Sequence, residues 1–217
     1  MGSRASQKFA ENSRDIERLL QIHHDITGDA AGRKYGVEVL GKTAMILICH
    51  CWEAYLQDVL EEALETIAGR VADFTRLPAA LREEVARSIR ANPSTLAPWD
   101  LAGDGWKSYI KIILQQKQSA GGRSPKSRQI RELFDEALGM PDLPASWQWA
   151  WLSAPKAAKK LDDFVTITLA IPHRSAALET VDKWDAKGFL DHIRELVKLT
   201  DDAVNNHVTA ICGSAMG

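Results

Sequence analysis

The sequence predicts an all-α fold, and two observations carry that expectation. Apolar residues recur at steps of three and four along most of the 217 residues. Strict alternation of apolar and polar residues almost nowhere continues long enough for a strand. With 45% hydrophobic and 26% charged residues the composition is that of an ordinary globular chain, long enough to bury a sizeable core. A single domain over residues 1–217 is expected, with residues 75–120 as a helical insertion.

An opening helix is predicted from about Ala5 to Ile26, with Phe9, Ile16, Leu19, Leu20 and Ile22 on an apolar flank and a stop near Gly28. Gly28 to Gly36 reads as a loop. The second helix is the longest, about Val37 to Ala68. Its Met45, Cys49, Trp52, Leu56, Leu60, Ala63 and Ile67 recur at steps of three or four, Ile48, Tyr55 and Val59 widen that face, and Gly69 marks its end. Pro78, Pro93, Pro98, Gly103 and Gly105 then interrupt the pattern, which predicts an inserted pair of helices over about 79–91 and 105–118 instead of continuation of the main bundle. Ser119 to Pro125 is a loop by composition, followed by a short helix from about Lys126 to Leu138.

Beyond Pro141, Pro144 and the tryptophans Trp147, Trp149 and Trp151, Ser153 is placed as an N-cap with Pro155 in the first turn. That helix runs to about Ala170 and is stopped by Pro172. Asp182 or Asp185 opens the last helix, whose buried stripe is Phe189, Ile193, Leu196, Val197, Val204 and Val208. The three tryptophans are expected in the core, with stacking on nucleic-acid bases as the functional alternative.

Charge and cysteine usage narrow the function classes. Lys and Arg total 27 against 29 acidic residues, so general nucleic-acid affinity is not expected and any such site must be local. Cys49, Cys51 and Cys212 offer no disulfide framework, which favours a reduced intracellular setting. The first nine residues lack the apolar stretch of a signal peptide, and the longest apolar run, Thr43 to Trp52, is too short to span a bilayer. A soluble, cytoplasmic protein with no membrane association is expected. No phosphate-cradling Gly-rich loop with Lys, no Gly-x-Ser-x-Gly elbow and no paired Cys-x-x-Cys motif occurs, which argues against classical nucleotide or serine hydrolysis.

The most informative segment is Leu161-Asp-Asp-Phe-Val-Thr-Ile-Thr-Leu-Ala-Ile-Pro-His173-Arg174, where a helical pattern ends on a histidine. It resembles the RNase signature of the HEPN superfamily, in which an Arg and a His are separated by four to six residues. The His is present as His173, but Thr166, Ile167 and Thr168 occupy every permitted Arg position. Other blocks are similar to the RiboL-PSP-HEPN group: Val37 to Tyr55 with its Trp52-Glu-Ala-Tyr55 core, Ile130 to Phe134 with Leu138-Gly139 and Ser146-Trp147, and Leu196 to Val204.

The resemblance implies an up-and-down helical bundle that pairs as a homodimer and acts on RNA in a defence or toxin–antitoxin setting, such as phage defence. The implied activity is metal-independent endoribonuclease cleavage by the ribose 2′-hydroxyl, with no cofactor and no metal, and with an antitoxin or other protein as a further partner. The alternative is a non-enzymatic HEPN-like module that binds RNA or protein. His173 would transfer the proton, and Glu53 would orient or balance the motif. Thr168, at the Arg position, has neither the charge nor the planar fork that stabilises phosphate, a loss on the order of 100- to 1,000-fold in rate. Arg174 is the candidate substitute.

The ordinary alternative for His173 is a partly exposed residue donating to a helix-end carbonyl. Lys156, Lys159 and Lys160 are the candidate RNA-binding residues, against the ordinary reading of a solvated face. His50, Glu53 and Gln57 share one stripe, but two ligands on one helix do not complete a metal site. Restoring the motif with Thr168→Arg is expected to restore cleavage if that residue alone is missing.

Overall fold

The longest apolar pattern in the sequence becomes the axis of the molecule. The computed structural model describes residues 2–28, 38–119, 125–173 and 183–216. Among these are seven α-helices and no strand: α1 Arg4–Thr27, α2 Glu38–Arg70, α3 Ala79–Ala91, α4 Trp106–Ser119, α5 Ser127–Leu138, α6 Ala154–Ala170 and α7 Lys183–Cys212. Helix α2 packs along α1 on one side and α7 on another, and it also meets α4, α5 and α6. Because it has neighbours nearly all round, its buried apolar set (Ala44, Met45, Ile48, Cys49, Trp52, Tyr55, Leu56, Val59, Leu60, Ala63, Leu64, Ile67, Ala68) is wider than one stripe. Trp52 stacks on Tyr55 at 5.7 Å and meets Trp147 edge-on at 6.2 Å. Both indoles and the phenol also satisfy their polar ends: Trp52 Nε1 donates to the Pro125 carbonyl, Trp147 Nε1 to Thr200 Oγ1 at 2.9 Å, and Tyr55 Oη to the Val197 carbonyl at 3.0 Å.

Glycines mark two of the helix ends. Gly28 follows α1 at φ +61°, and Gly139 closes α5 in the left-handed region, with its own N–H on Asp135 and that of Met140 on Phe134. Gly69 does not end α2; it lies in the last turn, which runs on to Arg70. Ser153 sits at the N-cap of α6 with Pro155 behind it, yet its side chain makes no capping bond. Ile22 is exposed, unlike the rest of the apolar flank assigned to α1. Asp182 lies outside the described residues.

The start of α1 is secured by remote carboxylates. Ser3 accepts from the Ser6 N–H, while its own N–H and hydroxyl donate to Asp201 of α7. Glu62 of α2 accepts from the N–H groups of Arg4 and Ala5 at 3.2 and 3.1 Å. Four donors at a helix start are thereby satisfied by acceptors some sixty and two hundred residues away in sequence, and the negative charge suits that end of the helix dipole. Both carboxylates are buried. Glu62→Ala, which strands two of these donors, is expected to lower stability by about 2 kcal/mol, with Glu62→Gln intermediate, in urea unfolding. Equal stability of all three proteins would refute this account of the buried charge.

The predicted insertion contains helices where expected, α3 and α4, joined through 3-10 turns. Asp73 caps the first turn by accepting from the Thr75 N–H. Helix α3 packs on α4 and α5, and α4 returns along α2. Leu81, Val85, Ile110 and Ile113 thus join the same connected core as α1, α2 and α7.

Candidate functional site

Helix α6 carries four of the predicted site residues, Thr168 toward one end and Lys156, Lys159 and Lys160 toward the other. Toward the C-terminus, Thr168 is buried, with 5% of its surface exposed, and its hydroxyl donates to the Phe164 carbonyl one turn earlier at 2.9 Å. Thr166 is exposed and donates in the same manner to Asp162. Ile167 packs partly against the core. None of the three permitted positions therefore offers a cation, and the two hydroxyls are already engaged by the helix backbone. A 3-10 turn, Ile171–His173, follows α6, so the α-helix ends ahead of Pro172 and the chain tightens. The backbone of His173 closes that turn; Arg174 and the proposed role of the His173 side chain lie outside the described residues.

Glu53 stands at the middle of α2, partly exposed, not buried as the family role would require. Among the described residues its ion partner is His50, with Nδ1 3.8 Å from Oε2. Its charge also reaches Cys49, whose thiol is pushed up to about 11 by burial first and by Glu53 second. Such a thiol is inert at neutral pH. No group of three or more His, Cys, Asp or Glu side chains able to hold a metal ion occurs among the described residues.

Lys156, Lys159 and Lys160 occupy the first two turns of α6, all exposed. Twelve residues separate Lys156 from Thr168, a rise of about 18 Å along the helix. The lysines therefore do not share a turn with the motif. Lys159 pairs with Asp163 at 2.6 Å, and Lys160 lies 5.8 Å over the Phe189 ring, which itself packs on Phe164. The tryptophans divide: Trp147 is fully buried, Trp149 is partly buried on the ring of His192 at 5.5 Å, and Trp151 is 73% exposed, against the expectation of core packing.

His192 is a polar core residue that the sequence reading missed. Its Nε2–H donates to the Ala157 carbonyl at 3.1 Å, and burial, with the Lys160 charge as a second cause, lowers its pKa to about 4. It is neutral at physiological pH and ties α7 to the start of α6. Glu62, Thr200 and Asp201 were also missed. Each lies at helical spacing from buried neighbours, as Asp201 does between Val197 and Val204, and a polar residue on an apolar stripe is the signal that marks them.

The described clefts lie elsewhere, one between α1 and α7 bordered by Arg14, Glu17, Arg194 and Asp202, another between α2 and α4 bordered by Glu61, Glu65, Lys107 and Lys111. Both mix charges of either sign. No described helix is long and apolar enough to cross a membrane. Compared with models of known families, with curated proteins and with solved structures, the chain gives no match.

Proposed function

We propose that this chain is a HEPN-like, RNA-directed protein of the defence or toxin–antitoxin kind, homodimeric, that engages RNA but is catalytically impaired. The observation carrying the impaired reading is Thr168: the position where the family's Arg would meet phosphate holds a neutral, buried side chain whose hydroxyl is bonded to Phe164. A transition state with charge building on phosphate has no preorganised cation there, and Thr166 and Ile167 supply none. His173 alone, even correctly placed, could move a proton without stabilising that charge. An all-helical fold in which α6 packs on the helix of Trp52–Tyr55, and three exposed lysines on α6, support the RNA-directed part of the reading.

Incubation with a mixed RNA pool and gel analysis tests it. The protein is expected to retain RNA at low salt, to lose it steeply as salt rises, and to leave it intact for hours without added metal. Cleavage that disappears in His173→Ala would overturn the impaired reading and restore the endoribonuclease. Failure to bind any RNA at low salt would overturn the RNA-directed reading and leave a protein partner, such as an antitoxin, as the HEPN-like module's target.

A further inference from the structure

We propose that the N-terminal end of α6 is a single-stranded nucleic-acid platform, on which the exposed indole of Trp151 stacks with a base while Lys156, Lys159 and Lys160 hold the flanking phosphates. The proposal rests on the RNA-directed reading above and places the contact about three turns of helix away from Thr168.

Trp151 is displayed by a built support, not left dangling. The N–H of Trp149 donates to the Leu152 carbonyl at 3.0 Å and that of Leu152 returns to Trp149 at 2.9 Å, which closes a tight turn with Trp151 inside it. Its ring meets Trp149 edge-on at 6.4 Å and 82°. Trp149 rests on the buried His192, and His192 is fixed to the Ala157 carbonyl in the second turn of α6. The exposed ring is thus held before any ligand arrives, so stacking on it loses little conformational freedom.

The segment that carries it holds charge of one sign. From Leu143 to Leu161 the sequence contains three tryptophans and three lysines and no acidic residue. Of the two acids that follow, Asp162 accepts from the N–H and hydroxyl of Ser127, and Asp163 pairs with Lys159 in an exposed ion pair weak enough for a phosphate to replace. Aromatic faces accept any base, and lysines track a phosphate backbone, so this chemistry selects a single strand over a duplex, whose bases are already stacked. Trp99 gives the contrast. It is 76% exposed, but Asp100 and Asp104 stand beside it, the wrong sign for phosphate.

Fluorescence anisotropy with fluorescein-labelled oligouridylate and oligodeoxythymidylate of about 12 nucleotides tests the platform and separates RNA from DNA as its source. Trp151→Ala is expected to weaken binding about tenfold, Trp151→Tyr to restore it to within about twofold, and Lys156→Ala to lower the slope of log K against log salt by about one. Trp99→Ala should leave binding unchanged. Because Trp151 is exposed, its variants should melt as the parent does. Binding by the parent that is equally insensitive to Trp151→Ala and Trp99→Ala would overturn the platform while the RNA-directed reading stands. No binding of either oligonucleotide by the parent at low salt would overturn both.

Discussion

Thr168→Arg is expected to lower the stability of this protein by about 3–5 kcal/mol, a fall in melting temperature on the order of 10 °C, and not to restore cleavage. The side chain at this position is buried beside Phe164 and Val165, and its hydroxyl needs only the Phe164 carbonyl. A guanidinium placed there loses its hydration, and the one hydrogen-bond partner seen at this position is the Phe164 carbonyl, which cannot balance its charge. The larger side chain also overpacks a filled site. Thr168→Val, which keeps the shape and removes the hydroxyl, should cost less than about 1 kcal/mol. Thr166→Arg is the informative partner: Thr166 is exposed and also within the permitted spacing from His173, so the variant should fold with a change of no more than about 0.5 kcal/mol. Thermal melts with RNA assays on the same preparations check all three. A stable, cleaving Thr168→Arg protein would defeat the argument.

The second large effect is expected from acid. The pKa of His192, lowered to about 4 by burial and by Lys160, lies below the usual value of 6.5. Between those two pH values the unfolded chain binds more protons than the folded one, so stability rises with pH across the window. The contribution of His192 is therefore complete above about pH 6.5 and is lost as pH falls toward 4, up to about 3 kcal/mol. Carboxylates titrate in the lower part of that range as well, which makes the comparison with His192→Gln necessary. The variant should lose less stability than the parent between pH 7 and pH 4.5, as measured by urea unfolding. Parallel curves for the two proteins would show that His192 is not the group responsible.

Legibility in the sequence was uneven for physical reasons. The helices of the insertion, over 79–91 and 106–119, fall almost where Pro78, Pro93, Pro98 and Gly105 predict them, because a proline or glycine acts on its own few residues. The face of α2 around Trp52 and Tyr55 was equally readable, since a period of 3.6 is a property of one segment. Gly69 misled by one residue: an exposed glycine in a last turn is tolerated at a small entropic cost when the packing of Ile67 and Val71 continues past it. The three tryptophans could not be sorted from sequence. They alternate over five residues of irregular chain, and the positions of Trp52 on α2 and of Thr200 and His192 on α7 distinguish the enclosed Trp147 and half-covered Trp149 from the exposed Trp151.

The candidate site shows the same division. Sequence alone determined that the chain is helical, where its helices lie, and that no arginine stands four to six residues before His173. Tertiary structure alone decided that Thr168 faces the core while Thr166 faces solvent, that Trp151 is left exposed while Trp147 is enclosed, and that Glu62 and Asp201 close the start of α1. Periodicity and the glycine and proline signals at helix ends are local, fixed by residues within a turn or two of one another. Burial, long-range hydrogen bonds and charge neighbourhood depend on which remote helix arrives at a face, and that is settled only when the whole core packs.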